Sequence, residues 1–571
     1  MNDDLYKHLA FLYGTESAAY LIEQINRLID SYQPQIQQPK AITPARLTER
    51  DAVLITYGDM VQSENEAPLH TLSDFLTGHV SGLVSTVHLL PFYPYSSDDG
   101  FSVIDYWAVN PELGTWPDVG RIGGHFRLMF DAVINHISAQ SDWFQGFLQG
   151  DETFQNYFIT VDPQTDLSQV FRPRTLPLLT KVETANGPRH VWTTFSDDQI
   201  DLNFANPEVA LKIIELLLFY VSQGAELIRL DAIGFMWKEV GTTCIHLPQT
   251  HRLIQLMRRV LDRVAPSVVL ITETNVPHKD NISYFGNGRN EAQMVYNFSL
   301  PPLTLHTFHT GSAAALSRWA DSLTLPSDQV TFFNFLASHD GIGVTPARGI
   351  LDDTAVTAMA ERVQQLGGHV SYKNNPDGSQ SAYELNINFL DALGNPGVEE
   401  PVELIARRFL ASQAIMLALR GVPGIYFHSL FGSRGWPAGV KQSGRARTIN
   451  RQKLSHQQIE QELADETSLR HLVFSDYANL LHQRTTHPAF HPNGEQEVIF
   501  AHEAVFALWR RAIDGETAVL CLHNVSNQNL NINVDADSSF TNLLDGREYV
   551  AGNGRLYLTI APYEVLWLNK S

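Results

Sequence analysis

The chain has 571 residues, more than one hydrophobic core usually serves, and 44% of them are apolar, enough for a large core with additions. Forty lysines and arginines against 62 aspartates and glutamates give a formal charge of -22, which repels phosphate backbones and anionic headgroups and excludes nucleic acid as an expected partner. Cys244 and Cys521 lie far apart without a second cysteine or a histidine at ligand spacing, excluding a disulfide framework and a structural zinc site.

The first residues, MNDDLYKHLAFLYG, have an acidic start and no apolar core, unlike a signal peptide. The stretch AAYLIEQINRLIDSY (18–32) is amphipathic, so residues 1–50 are expected to be a helical extension ending in the looser QPQIQQPKAITPAR (33–46). Eight apolar runs then read as buried strands: VLITYGD (53–59), VSTVHLLPF (84–92), RLMFDAVIN (127–135), ELIRLDA (226–232), VVLITETN (268–275), MVYNFSL (294–300), VTFFNFLASHD (330–340) and GIYFHSLFG (424–432). Several follow helical patterns such as PEVALKIIELLLFYVSQG (207–224), where apolar positions recur every three or four residues. Its longest apolar run, 213–221, is too short for a bilayer, so a cytoplasmic protein with no membrane contact is expected. Apolar strands alternating with helices predict a parallel sheet covered on both faces, and eight of them predict a (β/α)8 barrel over 51–490.

Two intervals exceed ordinary loops. Residues 137–206 follow the third strand and are expected to form an inserted subdomain over the site. Residues 341–400 follow the seventh and contain SYKNNPDGSQSAYE (371–384), expected as a lid. Over 491–571 short alternating strands such as FALWRR, TAVLCLHNVS and NLNINVD predict a C-terminal β-sandwich.

Polar residues fall at the C-terminal ends of the strands, the face on which barrels carry chemistry: Asp131 and Asn135, Arg229 and Asp231, Glu273, His339 and Asp340. Arg229 and Asp231 are two apart, so they are expected to point to one side near the mouth. One such pair would serve equally as a structural ion pair. Three carboxylates converging on one mouth repel each other and point to function. A retaining glycosidic cleavage needs one ionised carboxylate to attack the anomeric carbon and a protonated carboxyl about 5 to 5.5 Å away for the leaving oxygen. Arg229 is expected to keep Asp231 ionised while burial raises the pKa of Glu273.

DAVINH (131–136), IRLDA (228–232), ITETN (271–275) and ASHD (337–340) resemble, in order, the four conserved regions of the α-amylase superfamily, and QIDLN (199–203) resembles its fifth. The resemblance implies that Asp231 is the nucleophile, Glu273 the general acid/base and Asp340 the transition-state stabiliser. It also implies that Asp131, His136, Gln199, Arg229 and His339 hold the glucosyl unit. From residue 51 onward, SSDDGFSVIDY (96–106), FRPRTLPLLT (171–180), VWTTFSDDQIDLN (191–203), HDGIGV (339–344) and RTINRQ (447–452) are similar to the sucrose phosphorylase subfamily. By that likeness Asp98 and Arg447 fix the far hydroxyls, Phe101 and Phe195 are apolar platforms, and Arg174 rather than Arg172, with Tyr383, meets phosphate.

The acceptor side departs from that subfamily: Asn275 stands where those enzymes carry histidine, and Glu384 where they carry glutamine. The N-terminal extension, TETNVPHKDN (272–281) and YKNNPDG (372–378) look more like the glucosylglycerate phosphorylase branch, with glucosylglycerol phosphorylases as close relatives. Arg174, His278, Lys279 and Lys373 are the cations available for an anionic acceptor, while Glu384 suits hydroxyls. The implied activity is reversible, retaining phosphorolysis of glucosylglycerate to α-glucose 1-phosphate and glycerate. The alternatives are glucosylglycerol, sucrose or sucrose 6'-phosphate phosphorolysis, plain α-glucosidase activity, or a non-catalytic carbohydrate-binding barrel. The expected partners are a small sugar and phosphate, with no metal or organic cofactor, in a monomer or homodimer.

Overall fold

The computed structural model describes residues 2–36, 46–374 and 379–570. Each of the eight apolar runs forms a strand: β1 Val53–Thr56, β2 Thr86–Leu89, β3 Arg127–Ala132, β4 Ala225–Leu230, β5 Val269–Thr272, β6 Met294–Tyr296, β7 Thr331–Asn334 and β8 Val422–Tyr426. They pair in parallel in chain order, and β8 closes onto β1, giving a (β/α)8 barrel. The ladders stop short of the expected ends. β4 ends one residue before Asp231, β5 one before Glu273, and β7 at Asn334, well ahead of His339 and Asp340. Those two residues therefore stand on a loop and not on a strand end, a correction to the sequence reading. The backbone has to leave the sheet to bring side chains over the mouth, and after Asp231 it does so through Ala232 in a left-handed conformation (φ 51°).

Helices Pro207–Ser222 and Pro248–Val264 open with a proline, where the missing N–H has no helical partner to lose. The N-terminal helices α1 (Asn2–Tyr13) and α2 (Thr15–Tyr32) pack on these two. In α2, Ala18, Leu21, Ile25 and Ile29 are buried at spacings of three and four. Arg263 donates to the Asn26 side chain at 2.7 Å, and the Tyr13 hydroxyl donates to the Phe204 carbonyl at 3.0 Å. Residues 37–45, most of the expected linker, lie outside the described residues.

The segment after β3 contains helix Asp142–Gln149 and a hairpin of Leu179–Thr184 with Gly187–Trp192. Its two ends meet where His136–Ser138 pairs antiparallel with Gln199–Asp201. After β7, strands Ile342–Gly343, His369–Asn374 and Gln380–Asn386 form a small antiparallel sheet beside helix Asp353–Gln365. Residues 375–378 at the expected lid tip lie outside the described residues. The C-terminal region is a six-stranded antiparallel sheet and a two-stranded one. Leu520, Leu522, Leu566 and Leu568 of the first share an apolar cluster with Ile532, Val534, Leu556 and Leu558 of the second, as a sandwich requires. Among the described residues no helix is long and apolar enough to cross a membrane.

Candidate active site

A cavity of about 110 Å³ opens where β4, β5 and β7 end, lined by Asp231, Glu273 and Asp340 together with Asp98, Phe101, His136, Phe195, Gln199, Arg229, His339 and Arg447. The parallel register sets Asp131 of β3 and Ile271 of β5 opposite Arg229 of β4. Arg229 Nη1 donates to Asp231 Oδ1 at 2.8 Å and also to Asp131 Oδ1, while its Nη2 is 3.9 Å from Glu273 Oε1. The turn at Ala232 aims its backbone N–H at Glu273 Oε2, 3.2 Å away. Asp340 Oδ1 meets Arg447 at 2.6 Å, Arg451 at 3.4 Å and His339 at 3.6 Å. Asp131, expected against the glucosyl unit, is fully buried beneath Arg229 and does not line the cavity. It anchors the arginine instead, because its β3 position is deeper than the loop residues around it.

The expected separation of charges is only half met. Burial pushes both Asp231 and Glu273 up, Asp231 to about 8, since one arginine shared with Asp131 does not offset desolvation and the neighbouring carboxylates. Asp231 is thus not held low. Within this pair the proton rests better on Glu273, because Arg229 is 2.8 Å from Asp231 and 3.9 Å from Glu273. Asp340 shifts the other way: burial opposes its charge, but Arg447, His339 and Arg451 hold it well below the usual carboxylate range.

The walls follow from a strained loop. Asp98 and Asp99 both adopt positive φ (53° and 50°), and a Cβ on Gly100 (φ 108°) would fall 2.5 Å from the Pro91 carbonyl, so only glycine fits. That loop lays Phe101 parallel to the His339 ring, centroids 4.6 Å apart. His136 Nε2 and Gln199 Nε2 are each 2.9 Å from the Phe101 carbonyl, so these two residues fix the platform as well as lining the pocket.

On the acceptor side Arg174, Asn275, Tyr383 and Glu384 line the same cavity. Glu384 is already engaged: its Oε1 accepts from the Gly341 N–H at 2.7 Å and its Oε2 from Arg447 at 2.9 Å, which leaves each oxygen a further lone pair toward the cavity. Arg174 lies over the Phe195 ring at 5.5 Å and meets its nearest carboxylate, Asp98, only at 3.9 Å. Asn275 Oδ1 is buried without a partner among the described residues, and Gly343 leaves room for it, since a Cβ there would approach the Asn275 amide to 2.6 Å. His278, Lys279 and Lys373 do not line the cavity, and the exposed Arg172 bonds the Leu176 carbonyl. A vestibule of about 400 Å³ beyond shares Arg174, Tyr383, Glu384 and Arg447 and adds Arg445.

Residues 82–344 match the family model for the α-amylase catalytic domain. A glucosylglycerate phosphorylase of Spirochaeta thermophila is 51% identical over 99% of this chain and 98% of its own, and one of Escherichia coli is 46% identical over the full length of both. The chain belongs to the glucosylglycerate phosphorylase family, within the α-amylase superfamily. A crystal structure of sucrose 6F-phosphate phosphorylase from Thermoanaerobacter thermosaccharolyticum superposes with a TM-score of 0.73 at 25% identity, covering 88% of this chain and 98% of that one.

In this glucosylglycerate phosphorylase family member three functional neighbours escaped the sequence reading. Arg451 Nη1 binds Asp98 at 3.2 Å and Asp99 at 2.6 Å, and its position four residues after Arg447 in RTINRQ was the available signal. Lys238, with almost no exposure, bonds Asp201 at 2.5 Å and Asn135 at 2.8 Å. His88 lies inside β2 with Nε2 2.7 Å from Asp131 Oδ2, and a titratable residue in the apolar run VSTVHLLPF is itself a signal.

Proposed function

We propose that the protein is a retaining α-glucoside phosphorylase acting on glucosylglycerate. Asp231 attacks the anomeric carbon while Glu273 gives its proton to the departing glycerate oxygen, which takes the electron pair of the broken bond. Phosphate then attacks the same carbon, the ester electrons return to Asp231, and Glu273 recovers a proton from the incoming phosphate. Two inversions give α-glucose 1-phosphate. Asp340, Asp98, Arg447 and the Phe101 and Phe195 platforms hold the glucosyl unit. Carboxylates and phosphate complete these steps, so the reading requires no metal or organic cofactor.

The observation that carries the phosphorolytic half is Arg174. Arg229 and Arg447 each touch a carboxylate within 2.8 Å, whereas Arg174 meets Asp98 only at 3.9 Å and donates one long hydrogen bond, 3.4 Å, to the Phe195 carbonyl, so most of its donors are open to an arriving anion. Tyr383 on the same wall adds a hydroxyl. The test is product release from glucosylglycerate, glucosylglycerol and sucrose, each with and without phosphate. The expected result is glucose 1-phosphate from glucosylglycerate alone, only when phosphate is present. Arg174→Gln should raise the KM for phosphate about tenfold to a hundredfold, the worth of a charge-assisted hydrogen bond. Free glucose irrespective of phosphate would mean a hydrolase, and glucose 1-phosphate from sucrose would correct the acceptor.

A further inference from the structure

His88 has no part in the steps above, yet it sits in the inner wall of the barrel. It is fully buried in β2, between Ile55 of β1 and Met129 of β3 in the register. A polar ring there is costly unless it is hydrogen-bonded. Its Nε2 is bonded to Asp131 Oδ2 at 2.7 Å, and its Nδ1 has no partner among the described residues. A proton on Nδ1 would leave a bare N–H in an apolar wall, and burial lowers the pKa of the ring. The imidazole is therefore neutral, with its hydrogen on Nε2, donating to Asp131.

The other Asp131 oxygen is taken by Arg229 Nη1, the nitrogen that also holds Asp231 Oδ1 at 2.8 Å. Tyr93 donates only to the Asp131 backbone carbonyl, at 3.2 Å. So one guanidinium nitrogen divides between an anchoring carboxylate and a reacting one, and His88 is the remaining donor to the anchoring carboxylate. We propose that His88 is a positioning residue for the nucleophile: its neutral hydrogen bond satisfies Asp131 just enough for Arg229 to serve Asp231 as well. A cation at this position would satisfy Asp131 alone and turn Arg229 wholly toward Asp231. An apolar residue would leave Asp131 drawing Arg229 away. Tyr106, Tyr296, Glu273, Asp340 and His339 also act on Arg229 or Asp231, and His88 hydrogen-bonds none of them.

The inference rests on Asp231 being the nucleophile, and the test separates the two. If the wild type makes no glucose 1-phosphate, the functional reading fails before any variant is compared. With an active wild type, His88→Leu should lower kcat about tenfold to a hundredfold and move the acidic limb of kcat/KM upward by about half to one pH unit, with KM for the donor within about twofold. His88→Gln, whose amide reaches the Nε2 position, should restore both within about threefold. A loss of kcat with an unmoved pH limb, or a glutamine variant no better than leucine, overturns the proposal. If the leucine variant does not fold, His88→Asn replaces it. Its amide stops at the Nδ1 position, so it must show the shift that His88→Gln lacks.

Discussion

Asp231 and Asp340 line the same cavity, and burial disfavours the charge of both. Asp340 draws on two arginines, Arg447 and Arg451, whereas Asp231 has only a share of one, Arg229, which also serves Asp131, so the two shift in opposite directions. A carboxyl whose folded pKa is raised stabilises the fold when protonated. For Asp231 that contribution is complete below its unfolded value near 3.8 and is lost as pH rises through about 8. At pH 7, between those two values, the folded site must take up a proton that the unfolded chain does not hold; Asp231→Asn removes that cost, so the melting temperature should rise by several degrees while turnover is abolished. Asp340 stabilises above its unfolded pKa and loses that contribution as pH falls through its depressed one. Asp340→Asn should therefore lower the melting temperature at pH 7, with the gap to wild type closing in acid. Thermal melts from pH 3 to 8 decide it, and shifts of the same sign in both variants would refute this electrostatic account. At this scale residue types were legible, because Arg229, Asp231, Glu273 and Asp340 stand out against apolar runs. Commitments were not. Residue type alone does not say that Asp131 lies beneath Arg229, away from the cavity, or that Glu384 also anchors Arg447 and the Gly341 N–H.

Among elements, the eight strands were readable because a barrel strand buried on both faces leaves an unbroken apolar signature. Their ends were not, because the ladder stops where the backbone turns, and the left-handed Ala232 has no signature in the residue type. The amphipathic α2 was equally plain, but its seat on helices Pro207–Ser222 and Pro248–Val264 is set by tertiary packing alone. How the segment after β3 is fastened was also hidden. Asp201 on its returning strand accepts from the Thr194 N–H and hydroxyl, both at 2.7 Å, from Asn135 at 3.1 Å and from Lys238 at 2.5 Å. Each partner adjoins a pocket wall: Asn135 precedes His136, Thr194 precedes Phe195, and Lys238 follows Phe235. Lys238→Met leaves Asp201 buried without its counter-charge, a loss of about 3 to 5 kcal/mol. It should lower the melting temperature by about three to five degrees and raise the KM of every donor alike. An unchanged melting temperature would show that the insert is held by other contacts.

Across the whole molecule a formal charge of -22 surrounds a pocket that has to admit phosphate, itself an anion. Near 0.01 M salt, where the screening length is about 30 Å, an approaching phosphate feels that total before it feels Arg174, and near 0.1 M the length falls to about 10 Å and most of that repulsion is screened. The kcat/KM for phosphate at saturating donor should therefore rise a few-fold as ionic strength goes from about 10 to 150 mM. A fall would mean that the arginines of the vestibule outweigh the net charge at long range.

The crowding of Asp231 bears on how long a half-finished reaction can wait. In the proposed mechanism the glucosyl ester on Asp231 carries no charge, so forming it removes the anion that burial and the other carboxylates oppose. In that mechanism the covalent state is thereby stabilised relative to the free enzyme, against phosphate and water alike, so the choice between them falls to the anion-binding wall. Asparagine at 231 is the closest neutral stand-in for that ester, so the stability it confers gauges how strongly the fold favours an uncharged group at this position.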